Sequence, residues 1–355
     1  MGIPPKPVAV RVLHGPTLAA RLPRLTEYVL RAGQVPLSRM PAWLNVLRDG
    51  LRHTPYAVEA VDEEDRTLGY LPLAYVNSFL FGAHLVSLPY LNSGGVLADD
   101  GATAARLIDR AVALADELEV RRLELRHESP VEHPALTTRP TGKFHMRLPL
   151  PDFPGPLWAS FDPKVRNQVR KGEKGRLEVF WGGMDLLPEF YEIFSRNMRD
   201  LGTPPYGQSL FRTILSEFGT DAEICVVRAG TAPVAAALLL HGKGVTEVPS
   251  ASSLREYNAT CANMLMYWNL LDRAIQRGQA VFDFGRSTAE SGPFRFKKQW
   301  GAEPTPAGWQ HYLRGGKADE LRPDNPRFER LIRVWRRLPL GVTRWIGPRI
   351  VRGIP

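Results

Sequence analysis

Alternating and helix-spaced apolar residues indicate strands and helices in both halves of the chain. In the first half, residues 103–118 place apolar side chains at helical spacing, and a probable short helix lies near 42–51. Four prolines between 149 and 156 indicate a linker. The strands that alternation predicts in this half are residues 8–13, 56–61, 68–75, 84–88 and 122–125.

The second half repeats this mixture. Asp162 and Pro163 are an N-cap and first-turn pair, so they predict a helix that runs to Lys174. Residues 186–201, 209–218 and 263–277 are further predicted helices. The predicted strands are 222–228 and 233–240, which form a hairpin, then 244–250 and 281–284.

The two halves share one order of elements. In each, a strand (85–88 or 246–250) leads through a loop and a helix to another strand (123–125 or 282–284). Any α/β protein repeats such units, but the similar spacing favours a true tandem pair. We therefore predict an α/β fold with mixed sheets, divided into domains 1–157 and 158–315 and a tail, 316–355.

Composition is that of a soluble globular protein of 355 residues, with 44% hydrophobic and 23% charged residues. No secretory signal or membrane-spanning stretch is evident, so we expect a cytoplasmic protein. Cys225 and Cys261 are too few for a disulfide framework and lack metal-binding spacing, so no metal is expected. Cys225 lies in an apolar strand pattern and is predicted to be a buried thiol.

Candidate chemistry is concentrated in residues 281–301. Asp283 lies on the opposite face of its strand from two phenylalanines, and Gly285 ends the strand before a polar turn. Asp283, Arg286 and Ser287 are the candidate catalytic residues. Asp283 would accept or relay a proton; alternatively, it holds the turn by bonding to Arg286 or the amide of Ser287.

A basic, aromatic segment follows that turn. Lys297, like Arg286, is a candidate for contacts with phosphate groups of a donor or acceptor, or else belongs to a solvated surface. Phe296 and Trp300 are candidate substrate contacts, although such rings are more often core. Phosphate-loop, HExxH, CxxC and GxSxG motifs are absent from the sequence, which leaves amide formation from an activated acyl group as the favoured chemistry.

Residues 247–253, 263–268 and 281–301 together resemble the FemAB-like branch of the GNAT acyltransferase superfamily, most closely the FemAB proteins associated with exosortase (PEP-CTERM) and exopolysaccharide systems. The resemblance implies two tandem GNAT-like domains and transfer of an acyl or aminoacyl group to an amine of an envelope glycan, peptidoglycan or lipid-linked precursor. It implies no bound cofactor. The donor would be aminoacyl-tRNA, acyl-CoA or acyl carrier protein.

Substrate contacts are also placed by this resemblance. The sequence lacks the Q/R-x-x-G-x-G/A loop of ordinary GNAT enzymes, which argues against acetyl-CoA. Arg166 and Arg170, on the cationic helix after Pro163, are candidates for binding a phosphorylated substrate, or lie on a solvated face. The contacts that the resemblance implies after the 246–250 strand are Ser252, Ser253, Tyr257, Asn258, Asn263 and Tyr267.

The tail carries most of the net charge of +9, because eight arginines and one glutamate fall within 326–355. Its apolar residues align on helical faces, a pattern typical of a peripheral helix on an anionic membrane. Docking on the protein's own core and binding of tRNA are the alternatives. A non-catalytic accessory protein that binds glycan or assembly factors at the membrane is the rival to an enzyme.

Overall fold

The protein folds as two compact units. The structure, a computed structural model, describes residues 8–78, 82–138, 142–316 and 326–354. The first unit takes in the described residues of Met1–Thr141, Pro306–Ala318 and Gly353–Pro355. The second takes in those of Gly142–Thr305 and Asp319–Arg352. The segment 142–157, which the sequence assigned to the first domain, therefore belongs to the second unit.

The first unit is built on an eight-stranded sheet in the order β1-β2-β3-β4-β6-β15-β7, with β5 beside β3. Every pairing that the register records here is antiparallel except that of β4 with β6. The strands are β1 Ala9–His14, β2 Thr54–Val61, β3 Thr67–Ser78, β4 Gly82–Val86, β5 Leu97–Ala98, β6 Arg122–His127, β7 Thr137–Thr138 and β15 Gly308–Leu313.

Three helices accompany this sheet: α1 (Gly15–Leu30), a short α2 (Trp43–Asn45) that continues into a wider turn, and α3 (Gly101–Glu117). α3 begins where the sequence predicts, because the Asp100 side chain caps the amide of Thr103 at 2.7 Å. Its apolar stripe packs on the sheet to form the core of this unit. α3 is the crossover that joins the parallel strands β4 and β6.

α1 is the main element that the sequence did not predict. Pro16 lies in its first turn, where proline is tolerated, but Pro23 lies inside the helix. Burial of Leu18 and Leu25, together with other apolar residues on one face, outweighs the cost of that proline. Arg21 fixes the helix further by donating to the fully buried Glu59 at 2.9 Å.

The second unit has a seven-stranded sheet in the order β14-β8-β13-β12-β11-β10-β9. Only β12 and β13 are recorded as parallel neighbours in it, and α8 is the crossover between them. The strands are β8 Lys143–Pro149, β9 Leu177–Gly182, β10 Ala222–Ala229, β11 Ala232–His241, β12 Val245–Ser253, β13 Val281–Thr288 and β14 Glu303–Pro306.

Helices cover this sheet and enclose a second apolar core, in which α8 is the most deeply buried helix. The helices are α4 Pro154–Ser160, α5 Pro163–Lys174, α6 Leu187–Leu201, α7 Gln208–Phe218, α8 Ala262–Gln276 and α9 Gly292–Lys298. The predicted β10–β11 hairpin is confirmed, with Cys225 fully buried on β10. Burial raises the pKa of the Cys225 thiol, so this group is an inert part of the core.

The tail forms two helices, α10 (Pro326–Trp335) and α11 (Leu340–Val351). α11 packs on α6, and the Arg344 guanidinium donates to Glu192 and to the Ser195 hydroxyl there. No helix within the described ranges has both the length and the apolar character needed to cross a bilayer.

Candidate active site

The two parallel strands of the second unit separate after a short paired stretch. β12 and β13 pair only at Val245 with Val281, Thr246 with Phe282, and Glu247 with Asp283. Beyond these residues β12 follows β11, and β13 follows β8. We call the space between the diverging strands the split. Its edges expose alternate backbone amides and carbonyls, which suits an extended ligand.

Asp283 lies at the base of the split and is only 2% exposed. Its carboxylate accepts a bond from the amide of Gly285 at 2.7 Å and one from Arg147 Nε at 2.9 Å. The Gly285 backbone has φ +75°, which favours glycine, and a β-bulge lies between Asp283 and Arg286. Asp283 therefore holds the turn through the amide of Gly285 rather than that of Ser287. The catalytic role of its carboxylate stays a prediction.

Glu247 is the residue that sequence reasoning missed at this position. It lies opposite Asp283 in the register, and Arg147 lies opposite Asp283 on the other side. Side chains at paired positions project from the same face of a sheet, so an arginine and two carboxylates form one row at the base of the split. Glu247 is also buried. Only the pairing of β12 with β13 brings it beside Asp283.

Lys297 is a buried cation next to the same strand. Its Nζ donates to the carbonyl of Arg286 at 3.0 Å, and the residue is 9% exposed. Burial lowers the pKa of Lys297 to about 8; the charge of Arg286 also lowers it, whereas that of Asp283 acts in the opposite direction. This amine is charged at neutral pH and loses its proton within the range in which enzymes work.

Arg286 and Ser287 lie on β13 beyond the bulge. Arg286 is half-buried and pairs with His145 of β8, while Ser287 pairs with Phe144. Ser287 is 5% exposed, and its hydroxyl has no hydrogen-bond partner among the described residues. A buried hydroxyl without a partner is costly, so it is available to a ligand. The structure thus gathers Asp283, Arg286, Ser287 and Lys297 around one strand.

The predicted aromatic contacts form a cluster of rings in the core. Tyr267 stacks on Phe284 with ring centroids 5.9 Å apart, and Phe296 meets it edge-on at 4.8 Å. Trp300 is fully buried 6.2 Å from Tyr267, and Phe296 is only partly buried. Trp300 therefore supports α9 from within, and Phe296 is the ring of this pair with a surface left for a substrate.

The polar residues after β12 are spread over a loop and a helix start. Ser252 is buried and accepts a bond from Asn197 of α6 at 3.1 Å, while Ser253 is half-buried at the end of the strand. Asn258 is exposed. Tyr257 packs against the core, and Asn263 is half-buried in the first turn of α8.

The cationic helix α5 starts at Pro163, as predicted, although Asp162 makes no side-chain cap bond. Arg166 is tied to α4 and its following loop by bonds to the carbonyls of Ala159 and Phe161. Arg170 is exposed and lies over the ring of Trp158 at 5.6 Å. The exposed cations of this helix and the turn after it that form no ion pair with a described acidic group are Lys164, Arg170, Lys171, Lys174 and Arg176.

The first unit has the same pair of parallel strands, but the space after them is filled. β4 and β6 also pair over three residues, from His84 with Arg122 to Val86 with Glu124. The chain then returns, and the amides of Gly94 and Gly95 donate to the carbonyl of Arg126 at 2.9 and 3.0 Å. This loop occupies the edge of β6 that an extended ligand would need. The open split is a feature of the second unit.

Residues 159–298 match the family model of the acetyltransferase (GNAT) domain. The match contains β12, α8, β13 and α9, and hence the split. No curated protein matches the chain in sequence.

Solved structures show the same fold over most of the chain. FemX is 14% identical with a TM-score of 0.64, covering 86% of this chain and 97% of its own. A tandem GNAT protein of the clavulanic acid biosynthesis pathway is 13% identical with a TM-score of 0.55, covering 88% and 100%.

A third similar structure is the C-terminal domain of a protein from Agrobacterium fabrum, provisionally assigned as a lysylphosphatidylglycerol synthetase. It is 13% identical with a TM-score of 0.54, covering 84% of this chain and 93% of its own. Together with the matched domain, these likenesses confirm the tandem arrangement predicted from the repeated order of elements. The protein has a tandem GNAT-like fold, with a GNAT acetyltransferase domain at residues 159–298.

Proposed function

We propose that the protein is an N-acyltransferase that uses the split to transfer an acyl or aminoacyl group to an amine of a cell-envelope glycan, peptidoglycan or lipid-linked precursor. The observation that carries this proposal is the row of Arg147, Asp283 and Glu247 at the base of the split, beside the buried Lys297. The similarity in fold to FemX and to the synthetase domain favours an envelope acceptor.

In this reaction, the amine nitrogen attacks the acyl carbonyl carbon and forms a tetrahedral oxyanion. The oxyanion collapses by expelling the oxygen or sulfur of the donor, and the proton lost by the amine goes to a base. Glu247 is the proposed base, because Asp283 already bonds to Arg147 and Gly285. Asp283 is then a positioning residue that fixes the bulge and the arginine.

Lys297 supplies positive charge in this scheme. A buried ammonium group stabilises a developing oxyanion more strongly than an exposed one, because fewer water molecules screen it. The hydroxyl of Ser287 and the half-buried Arg286 lie on the same strand and provide further donors. The donor's phosphates are the proposed ligands of Arg286.

A polyanionic donor such as aminoacyl-tRNA is favoured by α5. Its cations without ion-pair partners, with Arg170 over Trp158, combine phosphate-binding charge with an aromatic surface. Acyl-CoA and acyl carrier protein are the other donors to test.

The test combines an envelope measurement with an assay of purified protein. Mass spectrometry of envelope glycans from a deletion strain should show the loss of one acyl or aminoacyl mass, which the intact gene restores. In the assay, Glu247→Gln should lower transfer by about a hundredfold or more, as expected on removal of a general base. Unchanged glycans and no donor consumption would instead favour the non-catalytic accessory role.

Asp283→Asn distinguishes the two roles of that residue. The asparagine oxygen can still accept from the Gly285 amide, but the charge opposite Arg147 is lost. If Asp283 only positions the site, the variant should retain part of its activity with an unchanged pH profile. Full activity would exclude any role for its charge, and a loss as large as that of Glu247→Gln would assign the proton to Asp283.

A further inference from the structure

The two tail helices turn large apolar side chains to solvent. Leu331 and Val334 of α10 are 63% and 60% exposed, and Trp345 of α11 is 66% exposed. Val342 is also exposed. We call these four residues the tail surface. At 100° per residue, Leu331 and Val334 share one face of α10, and Val342 and Trp345 share one face of α11.

The opposite faces hold both helices against the second unit. In α10, Ile332 packs closely over Gly202, and the neighbouring Arg336 donates to the carbonyl of Leu201 at 3.1 Å. In α11, Thr343 is fully buried, and Gly347 approaches Pro205 so closely that a Cβ would clash. The tail surface is therefore the outward side of two docked helices.

This distribution is the reverse of that in an ordinary surface helix, which buries its large apolar residues and exposes its polar ones. Here the contacts with the protein are made by small residues and by polar anchors such as Arg344, which bonds to Glu192 and Ser195. An outward apolar patch of this kind marks an interaction site.

The charge around the patch indicates what covers it. Residues 331–354 contain six arginines and no acidic residue. Arg349 lies over the ring of Trp345 at 4.6 Å, so a cation and an interfacial aromatic residue are presented together. A second copy of the chain would bring like charges together, and a nucleic acid would leave the leucine and valine side chains in water. An anionic lipid bilayer satisfies both features.

We propose that the tail surface docks on the headgroup region of an anionic membrane, with Leu331, Val334 and Trp345 inserted and the arginines at the lipid phosphates. This inference is independent of the proposed transfer chemistry. It rests on the outward faces of α10 and α11 alone.

The test is flotation of the full-length protein with vesicles of phosphatidylcholine alone or mixed equally with phosphatidylglycerol. The wild type should float with the mixed vesicles. Leu331→Ser/Val334→Ser/Trp345→Ser should lower the partition coefficient by about tenfold or more, because three inserted side chains are lost. All three residues are exposed, so the fold should be kept.

The matched control is Phe153→Ser/Met184→Ser, which removes exposed apolar residues elsewhere in the second unit and should not change partitioning. Equal flotation of the triple variant and the wild type would overturn the proposal. So would a lipid-free dimer that the triple variant dissociates, since it would assign the surface to a second copy. Binding of tRNA without any vesicle binding would assign it to nucleic acid.

Discussion

The two units contain the same pair of parallel strands, yet only one pair leads to an open split. In the first unit, Arg126 is 3% exposed and bonds to Glu124 at 2.8 Å and to the carbonyl of Leu91 at 2.9 Å. Its guanidinium also lies 4.1 Å from the centre of the Trp309 ring. The returning loop supplies the bonds that β6 would otherwise lack, so the charge here is fully used in structure.

In the second unit the buried cation is Lys297, held by one bond to a backbone carbonyl. Its lowered pKa shows that its surroundings do not compensate for burial. A fold that tolerates such a group in one unit and neutralises its counterpart in the other indicates stability for the first site and chemistry for the second. Substitutions at the two cations should therefore have opposite signatures.

The largest effect is expected from Arg126→Met. Glu124 is buried, and although burial alone would raise its pKa, the charges of Arg126 and Arg122 hold the pKa below its usual value. Removal of Arg126 leaves that carboxylate without its closest cation, so the free energy of unfolding should fall by about 3–5 kcal/mol. Urea denaturation measures this loss.

Arg126→Met/Glu124→Gln is the matched control, because it removes the charge together with its partner. It should recover most of the lost stability. If Arg126→Met proves as stable as the wild type, the pair does not close the first unit.

Lys297→Met should have the second-largest effect, and on activity instead of stability. Loss of one stabilising donor at an oxyanion lowers the transfer rate by about 10²–10³-fold. Stability should be unchanged or higher, since an apolar side chain replaces a buried amine. Transfer assays and urea denaturation on the same protein check both statements. Lys298→Met, at an exposed neighbouring lysine, is the control.

The wild-type pH profile sharpens this expectation. Because the folded pKa is about 8, the transfer rate should fall as the pH rises through that value, and Lys297→Arg should shift this fall to higher pH. A rate that rises through pH 8 in the wild type and not in Lys297→Arg would make the amine a base.

The smallest effect concerns acid. Burial lowers the pKa of His127 to about 4, the charge of Arg39 lowers it too, and the bond to Gln310 opposes both. The unfolded chain then binds more protons between pH 6.5 and 4, so stability contributed by the neutral ring is lost as the pH falls through this window, by up to about 3 kcal/mol. Thermal unfolding between pH 7 and 4 should show a smaller loss in His127→Gln; an identical loss would contradict this assignment.

Much of the fold follows from local patterns in the sequence. The β10–β11 hairpin and α3 are strongly periodic and start or end at turn and cap residues, so their positions were predictable. α1 was not, because Pro16 and Pro23 signal a break and only packing against the first sheet makes the helix favourable. β8 escaped prediction because the prolines after it resemble a linker.

The site was predictable only where it lies within one segment. Asp283, Arg286 and Lys297 are close in sequence, and a strand, a turn and a helix bring them together. Glu247 and Arg147 come from two other strands, and their place beside Asp283 depends on strand order, which periodicity does not reveal. The sequence pattern also gave no sign that Lys297 would be buried.

The position of β15 has a consequence for how the chain completes its folding. β15 lies between β6 and β7, yet it follows every strand of the second unit in the chain. During synthesis, the growing first sheet must wait with the edge of β6 uncovered until residues 308–313 emerge, whereas the second sheet already has all its strands. The amino-terminal unit is thus finished last, and its early fragments are the ones exposed to mispairing.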